Sequence, residues 1–246
     1  MVGELYKMFH KKYCIALMFL LLIPILFGLG YFFNLSYIID NEENMSSMLG
    51  YCFEMQVDIK YLYFFVVIFL ACDMFSAEIE EGQIRTLLMY TASRKKVFLQ
   101  KYGALCFLLS IFHMLFWIFN AGIYWVCNIK NDKPIVFIDN PMPTYIGMFL
   151  GYLEAFFVWI SVAFFIGIFF RKIYSMVFVY FIWFACRYIN ELIGLKNVST
   201  EFMADYFGKS MRNMVYQDIL CYMINLFLCI GIICISLYLF ERKDIS

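Results

Sequence analysis

The sequence predicts an all-α membrane protein in which six transmembrane helices form a single domain over residues 1–246. Three observations predict it: the chain is unusually apolar, its apolar residues form six long runs, and its charged residues fall between those runs. Hydrophobic residues make up 64% of the chain, and the mean hydropathy is +0.78. A soluble domain is about 45–50% apolar, so this chain requires lipid as its solvent.

Each apolar run is long enough to cross a bilayer, because about 20 residues of helix span its hydrocarbon core. Lipid offers no partner for an open backbone hydrogen bond, so every span is predicted to be a helix. The first run ends in aromatic residues and Asn34 rather than at a small-residue cleavage site, which predicts a retained span. The predicted spans are residues 13–33, 59–77, 102–126, 144–169, 173–193 and 219–240.

The distribution of Lys and Arg predicts how the helices are oriented. An even number of spans places both termini on one side, and the short segments on that side carry the densest basic clusters. Basic loops remain in the cytoplasm, so we expect a multi-pass protein of a bacterial plasma membrane with both termini cytoplasmic. The basic residues on that side are Lys7, Lys11, Lys12, Arg85, Arg94, Lys95, Lys96, Lys101, Arg171, Lys172, Arg242 and Lys243.

Two segments outside the apolar runs have predicted structure of their own. Residues 2–12 place Leu5 and Met8 at helical spacing against Lys7, which favours a short helix in the inner membrane interface. Residues 194–218 mix aromatic and polar side chains, and two interpretations remain open. They form amphipathic helices that dip into the outer leaflet, or they form a simple outer loop.

The composition argues against several classes of function. The net charge is zero, so nothing indicates a nucleic-acid partner. Two His and nine Cys without a CxxC pair leave no pattern for a metal site, although a disulfide among Cys52, Cys127 and Cys186 remains open. The HExxH, serine-elbow and paired-Asp motifs of membrane enzymes are missing. We therefore expect no catalytic residues, and an intramembrane enzyme is the least favoured alternative.

The stretch Ser76–Lys101 carries the most specific signal in the chain. It begins like a helix, with Ser76 in a capping position and acidic residues in the first turns. Gly82 costs a helix about 1 kcal/mol against Ala, so it indicates a bend or a close approach by another backbone. Apolar side chains at helical spacing follow, and residues 91–93 break the helix before Arg94 opens the next. These features predict a short amphipathic helix at the cytoplasmic surface, with an ordinary basic loop as the alternative.

The order of residues within this stretch is distinctive: Glu81-Gly82 is followed by Arg85, by Leu87-Leu88, and by Ser93-Arg94 with Lys101. This order resembles the segment after the second span of type 2 ABC-transporter permeases. That segment reads E-x-G-T or E-E-G-T, then leucines, then P-x-S-R and a lysine that opens the third span. Gln83 stands where Thr is common, and Thr91 where Pro is common. The layout of the whole chain is similar to that family as well.

The resemblance implies that the stretch is a coupling helix, which docks into a groove of a separate cytoplasmic ABC ATPase subunit. The implied partners are that ATPase, a second permease copy or a sister permease, and the lipid bilayer. ATP and Mg would bind to the partner ATPase, and this chain itself would hold no cofactor. Its GKS sequence at residues 208–210 falls on the predicted outer side. The residues implied in coupling are Glu78, Glu81, Gly82, Arg85, Leu87 and Leu88.

Ionisable groups inside the spans are the remaining candidates, because burying them in a membrane is costly. Glu154 lies near mid-depth in the fourth predicted span and His113 midway along the third. A functional interpretation places both on a transport pathway. The alternative is structural: a hydrogen-bonded packing residue, or a group that reaches toward water. The structural interpretation is favoured for Asp73 and Arg187.

The spans are rich in side chains that adapt to varied shapes, with 30 Phe, 19 Tyr and 16 Met in the chain. Such walls suit amphipathic or hydrophobic cargo, and an exported toxin or antimicrobial peptide is the leading candidate. Export of polysaccharide, lipid, drugs or sodium remains open. A rival of another class is a membrane immunity protein or sensor, which transports nothing and needs no ATPase.

Overall fold

The computed structural model describes residues 2–10, 13–33, 47–91, 93–130, 134–138, 142–193 and 216–242. Within these ranges every regular element is helical. The helices are α1 (Val2–His10), α2 (Tyr13–Phe32), α3 (Met48–Cys72), α4 (Gln83–Thr91), α5 (Arg94–Lys130), α6 (Met142–Phe169), α7 (Lys172–Ile193) and α8 (Tyr216–Arg242). The α3 helix continues through a π-helical turn at Asp73–Ala77 and one α-helical turn at Glu78–Glu80. The predicted outer segment 194–218 lies mostly outside the described residues.

Four helices in the described part of the chain are long and apolar enough to cross a membrane: Met48–Glu80, Arg94–Lys130, Tyr145–Phe169 and Met223–Arg242. They overlap the second, third, fourth and sixth predicted spans. The first and fifth predicted spans fall on α2 and α7, whose apolar stretches are shorter, at Leu17–Gly30 and Lys172–Cys186. The structure is therefore an all-α fold with the helices of a multi-pass membrane protein, and the count of six spans stays a prediction.

The α3 helix begins well before residue 59, where the second span is predicted to start. Ser47 caps it, because its Oγ accepts a hydrogen bond from the Gly50 N–H at 3.0 Å. The first turns are held by packing, since Tyr51 and Met55 are buried against Phe116 and Tyr124 of α5. The polar residues that precede residue 59 therefore lie on a helix whose opposite face packs on α5. For this reason the helix extends beyond the hydrophobic run.

The core is organised around α3, which packs against α2, α5, α6 and α7, while α8 packs on α6 and α5. Four phenylalanines from four helices meet near the end of α3. The Phe75 ring stacks on Phe164 of α6 at 4.6 Å between centroids. It lies edge-on to Phe98 of α5 at 5.3 Å and tilted against Phe240 of α8 at 5.4 Å. Aromatic pairs of this kind stabilise beyond the area they bury.

The π-helical turn corrects one prediction, because the helix runs straight through Ser76 and no helix starts there. The Ser76 side chain is buried inside the bundle. Gly167 of α6 lies directly against it, and a Cβ added at Gly167 would collide with the Ser76 hydroxyl and come within 3.2 Å of the Phe75 ring. A side chain at position 167 would have to push the Ser76 hydroxyl aside and crowd the Phe75 ring, so glycine fits this close crossing of α6 and the π turn.

Both ends of the described chain meet at the same end of the bundle. Lys101 near the start of α5 binds Glu4 of α1 at 3.0 Å. Arg94, at the first position of α5, donates to the Glu241 carbonyl of α8 at 2.9 Å. We call this region the charged end, and its ionic residues are Glu4, Lys7, Asp73, Glu78, Glu80, Lys101 and Lys172.

Candidate functional site

The segment that joins α3 to α4 makes a sharp turn at Gly82. Its φ angle is +72°, in the left-handed region that only glycine adopts at little cost. The Glu81 and Gly82 N–H groups bond back to the carbonyls of Ala77 and Ile79 at 2.8 and 3.2 Å, which closes the preceding helix. A Cβ at Gly82 would meet nothing within 4 Å. The predicted bend is confirmed, and conformation rather than close packing requires the glycine.

Lys101 is the centre of the first ionic cluster at the charged end. Its side chain is 0% exposed, and its Nζ bonds Glu4 Oε2 at 3.0 Å and also Glu78 Oε2. The other oxygen of Glu78 pairs with Lys7 Nζ at 2.6 Å, and Lys7 donates to Gln83 Oε1 at 2.8 Å. Removing water from an ion costs several kcal/mol, which only close partners offset. The cluster therefore locks α1, the last turn of α3, α4 and α5 into one unit.

Asp73, at the start of the π turn, is the centre of a second cluster. The Tyr13 hydroxyl of α2 donates to Asp73 Oδ2 at 2.5 Å, and Lys172 of α7 pairs with Oδ1. The Lys172 backbone N–H also donates to Glu80 Oε2 at 3.3 Å. These contacts agree with the structural interpretation of Asp73. They connect the end of α3 to α2 and α7, two helices that Lys101 does not reach.

The break between α4 and α5 is confirmed, because α4 ends at Thr91 and α5 begins at Arg94. Ser93 caps α5 by accepting from the Lys96 N–H at 3.4 Å. The Arg94 guanidinium donates to two carbonyls in the last turn of α8, those of Phe240 and Glu241. A cation is favoured there because the carboxyl end of a helix carries partial negative charge.

The residues implied in coupling divide into buried and exposed groups. Glu78 is buried in the Lys101 cluster, whereas Glu81 and Arg85 are exposed. Leu88 is half-buried and packs against the bundle's own core, and the Leu87 side chain is half-buried as well. The exposed apolar side chain of α4 is Met89, which is 83% exposed. The outer face of α4 therefore presents a cation and a flexible apolar group.

Sequence reasoning missed the partners that hold α4 in place. Ile84, which is fully buried, fixes one face of α4 against the bundle. Lys7 and Lys101 were noted among the basic residues of the predicted cytoplasmic side, and Glu4 was not singled out, yet all three form a cluster with Glu78. The available signal was Lys101 itself: it lies one turn inside an apolar helix, where an unpaired charge is not tolerated.

The two candidate pathway residues are not brought into contact. His113 of α5 is fully buried where it faces α3 and α6, and its Nδ1 lies 3.5 Å from Gln56 Nε2. Gln56 Oε1 in turn accepts from Trp117 Nε1 at 2.7 Å, and the His113 ring packs on Phe149 at 4.5 Å. These contacts are those of a packing histidine. Arg187 lies in α7, and its side chain is outside the described set.

Glu154 lies on α6 with its side chain half-buried. Its Oε1 is enclosed, and no hydrogen-bond partner is found for it among the described residues. A carboxyl in that position is costly unless it is protonated or reaches a further polar group. Glu154 thus remains the stronger of the two pathway candidates.

The described residues hold no group of three or more His, Cys, Asp or Glu that is arranged to bind a metal ion. Cys52, Cys127 and Cys186 carry free thiols, so the disulfide left open among them is not formed. No family model, no curated protein and no solved structure matches this chain. The function must therefore be argued from the residues themselves.

Proposed function

We propose that this chain is the permease subunit of an ATP-driven exporter of the type 2 ABC kind. The observation that carries the proposal is the position of residues 73–101. This segment contains the stretch that resembles a coupling helix, it exposes one face of α4, and its side chains contact all the other helices of the bundle.

The exposed face of α4 is the proposed docking surface for a cytoplasmic ABC ATPase. Arg85 and Met89 point outward, while Ile84 anchors the opposite face in the bundle. A guanidinium recognises a carboxylate strongly, and a methionine adapts to an apolar groove of varied shape. In this proposal ATP and Mg bind to the ATPase, and Glu81 at the preceding turn adds a complementary charge.

The charged end gives a physical route for transmitting a displacement of α4. Lys7 of α1 binds both Gln83 of α4 and Glu78 at the end of α3. Glu78 also pairs with Lys101 of α5. Asp73 continues the route to α2 and α7, and Phe75 continues it to α6 and α8. Ionic and aromatic contacts of this density make the end of α3 move as one body with its neighbours.

The geometry supports six spans with both termini in the cytoplasm. Six helices, α2, α3, α5, α6, α7 and α8, lie between two chain ends that meet at the charged end. The α2 helix has 20 residues and α7 has 22, so each is about 30 Å long or slightly more and matches the hydrocarbon core. The concentration of Lys and Arg at the charged end favours the cytoplasmic side.

The proposed cargo is an amphipathic or hydrophobic molecule, and a toxin or antimicrobial peptide is the leading candidate. The support is compositional, since aromatic and Met side chains form the walls. A single chain provides one half of a pathway, so the exporter would contain a second copy or a sister permease.

Co-expression with the ABC ATPase encoded beside this chain tests the proposal. We expect the ATPase to co-purify with the wild-type chain and to be lost with Arg85→Glu and with Met89→Asp. Lys96→Glu is the matched control, because Lys96 is exposed on the neighbouring helix and carries the same charge. Failure of any ATPase to co-purify with the wild-type chain would overturn the proposal and favour an immunity or sensor protein.

A further inference from the structure

A hollow lies at the charged end between the last turns of α6 and α8. Ile168 and Phe169 of α6 and Leu239 of α8 form its apolar lining, and Arg242 of α8 also lines it. We call it the terminal hollow. Because its lining combines apolar surface with a cation, it suits a ligand that is apolar at one end and negatively charged at the other.

The terminal hollow lies where two long apolar helices reach their first charged residues. Residues 155–170, at the end of α6, contain no charge, and Arg171 follows them. Residues 221–240 of α8 contain no charge either, and Glu241 and Arg242 follow. The boundary between lipid hydrocarbon and headgroups is expected at such a change. The apolar lining therefore lies beside the acyl chains, and Arg242 lies at the level of the lipid phosphates.

The Arg242 guanidinium is held in place without a carboxylate partner among the residues that the structure describes. Its Cζ lies 4.3 Å from the centre of the Tyr238 ring, one turn earlier on α8. Stacking of this kind orients a guanidinium and leaves its N–H edge open. The neighbouring Glu241 pairs with Lys95 at 3.3 Å instead. The N–H groups of Arg242 therefore stay available to a ligand.

Other cations make the surroundings of the terminal hollow favourable for an anion. The guanidinium of Arg94 covers the last carbonyls of α8, whose partial negative charge would otherwise repel an anion. Arg171 lies two residues beyond Phe169, and its side chain is 78% exposed. Its Nε is 3.9 Å from Glu80 Oε1, and an exposed pair at that distance contributes little. Arg171 therefore adds to the positive potential beside Arg242.

We propose that the terminal hollow binds a phospholipid with a negatively charged headgroup. Arg242 donates to the phosphate oxygens, which match the fork of its N–H groups. Ile168, Phe169 and Leu239 contact the first carbons of an acyl chain. Basic pockets between spanning helices at the membrane surface recognise such headgroups. This inference does not depend on the proposed function, since it needs only two spanning helices and the hollow between their ends.

Titration of the purified full-length chain with defined lipids tests the proposal. The protein in mild detergent receives phosphatidylglycerol or phosphatidylcholine, and native mass spectrometry and the rise in unfolding temperature measure binding. The variants are Arg242→Gln and Arg171→Gln. Lys96→Gln is the matched control, because Lys96 is an exposed cation of the same end that does not line the hollow. Two further arms are inorganic phosphate as a competitor and a chain that ends at Arg242.

We expect the wild-type chain and Lys96→Gln to bind phosphatidylglycerol roughly tenfold more tightly than phosphatidylcholine. Arg242→Gln should lose most of this preference, and Arg171→Gln should lose a smaller part. Equal affinity of the wild-type chain for the two lipids would overturn the proposal. So would equal losses in Arg242→Gln and Lys96→Gln, which would show only a diffuse attraction between charges.

The two further arms test other occupants of the terminal hollow. Inorganic phosphate should not displace the lipid, and displacement by it at millimolar concentration would assign Arg242 to a soluble anion. The chain that ends at Arg242 should bind phosphatidylglycerol as the wild-type chain does. Binding that appears only in this shortened chain would assign the hollow to residues 243–246 and overturn the proposal.

Discussion

The charged end and the middle of the bundle both bury polar side chains, but they satisfy them differently. At the charged end, Lys101 and Glu78 form ion pairs between separate helices. In the middle, Gln56, His113 and Trp117 form a neutral cluster, and Nε2 of His113 finds no hydrogen-bond partner among the described residues. Removing one member of a buried ion pair costs about 3–5 kcal/mol, whereas leaving a neutral buried donor without its acceptor costs about 1–3 kcal/mol. We therefore expect the two regions to respond differently to substitution.

The largest expected effect is that of Lys101→Met. It leaves Glu4 and Glu78 buried together without the cation between them, and removing one member of a buried ion pair costs about 3–5 kcal/mol. Thermal unfolding in detergent measures the loss, and adding Glu78→Gln should restore part of it. Lys96→Met, an exposed lysine of the same helix, is the control. Equal unfolding temperatures of Lys101→Met and Lys96→Met would contradict the presence of a buried ion cluster around Lys101.

A smaller loss is expected at the crossing of α6 over the π turn. Gly167→Ala places a methyl group on the Ser76 hydroxyl, and overpacking of this kind costs about 1–3 kcal/mol. Ser76→Ala in the same chain should recover part of the stability, because the colliding oxygen is removed. Gly231→Ala on α8 is the control, since a Cβ there meets nothing within 4 Å. A neutral Gly167→Ala would show that the two helices do not approach as closely.

Substitutions in the middle cluster sharpen the comparison. Gln56→Leu leaves the Trp117 N–H buried without an acceptor, which costs about 1–3 kcal/mol. His113→Phe should cost less, because the ring is held mainly by aromatic packing. Thermal unfolding curves of the two variants show which of them loses more stability. The reverse order would mean that His113 has a polar partner of importance, and would return it to the list of pathway residues.

The smallest effect on stability is expected on the outer face of α4. Arg85→Ala and Met89→Ala remove exposed side chains, and such changes usually shift stability by under about 0.5 kcal/mol. Under the proposed function the same variants should lower the ATPase activity that depends on the permease. Membrane preparations with the partner ATPase measure the coupling, and unchanged activity in both variants would argue against α4 as the docking surface.

Local features of the structure were accessible from the sequence. The bend at Gly82, the break before Arg94 and the short helix α1 all follow from preferences of a few neighbouring residues. The second span is predicted from residue 59, whereas the helix that contains it begins at Met48, because hydropathy ends at the polar residues that precede residue 59 while packing on α5 continues the helix. Hydropathy measures the fit to lipid, whereas the length of a helix also depends on what covers it.

In the candidate site, the sequence likewise pointed to individual residues but not to their partners or to the direction in which they face. The sequence singled out Glu78 as a charge near a helix start, but its lysine partners lie at positions 7 and 101. Leu87 and Leu88 looked equally available, yet Leu88 packs inward and Met89 is the exposed side chain. Such distinctions depend on the rotation of a short helix against its neighbours, which local periodicity over nine residues does not determine.

The sequence by itself determined that this protein is helical and built for a membrane, because composition and the lengths of apolar runs act through transfer to lipid, one segment at a time. It also determined where the chain turns, because the left-handed conformation at Gly82 is a local property. Only the tertiary structure decided that Lys101 joins α1 to the end of α3, and that Gly167 of α6 faces Ser76 in the π turn. Each of these depends on atoms far apart in the chain meeting at contact distance, and no segment alone specifies its partner.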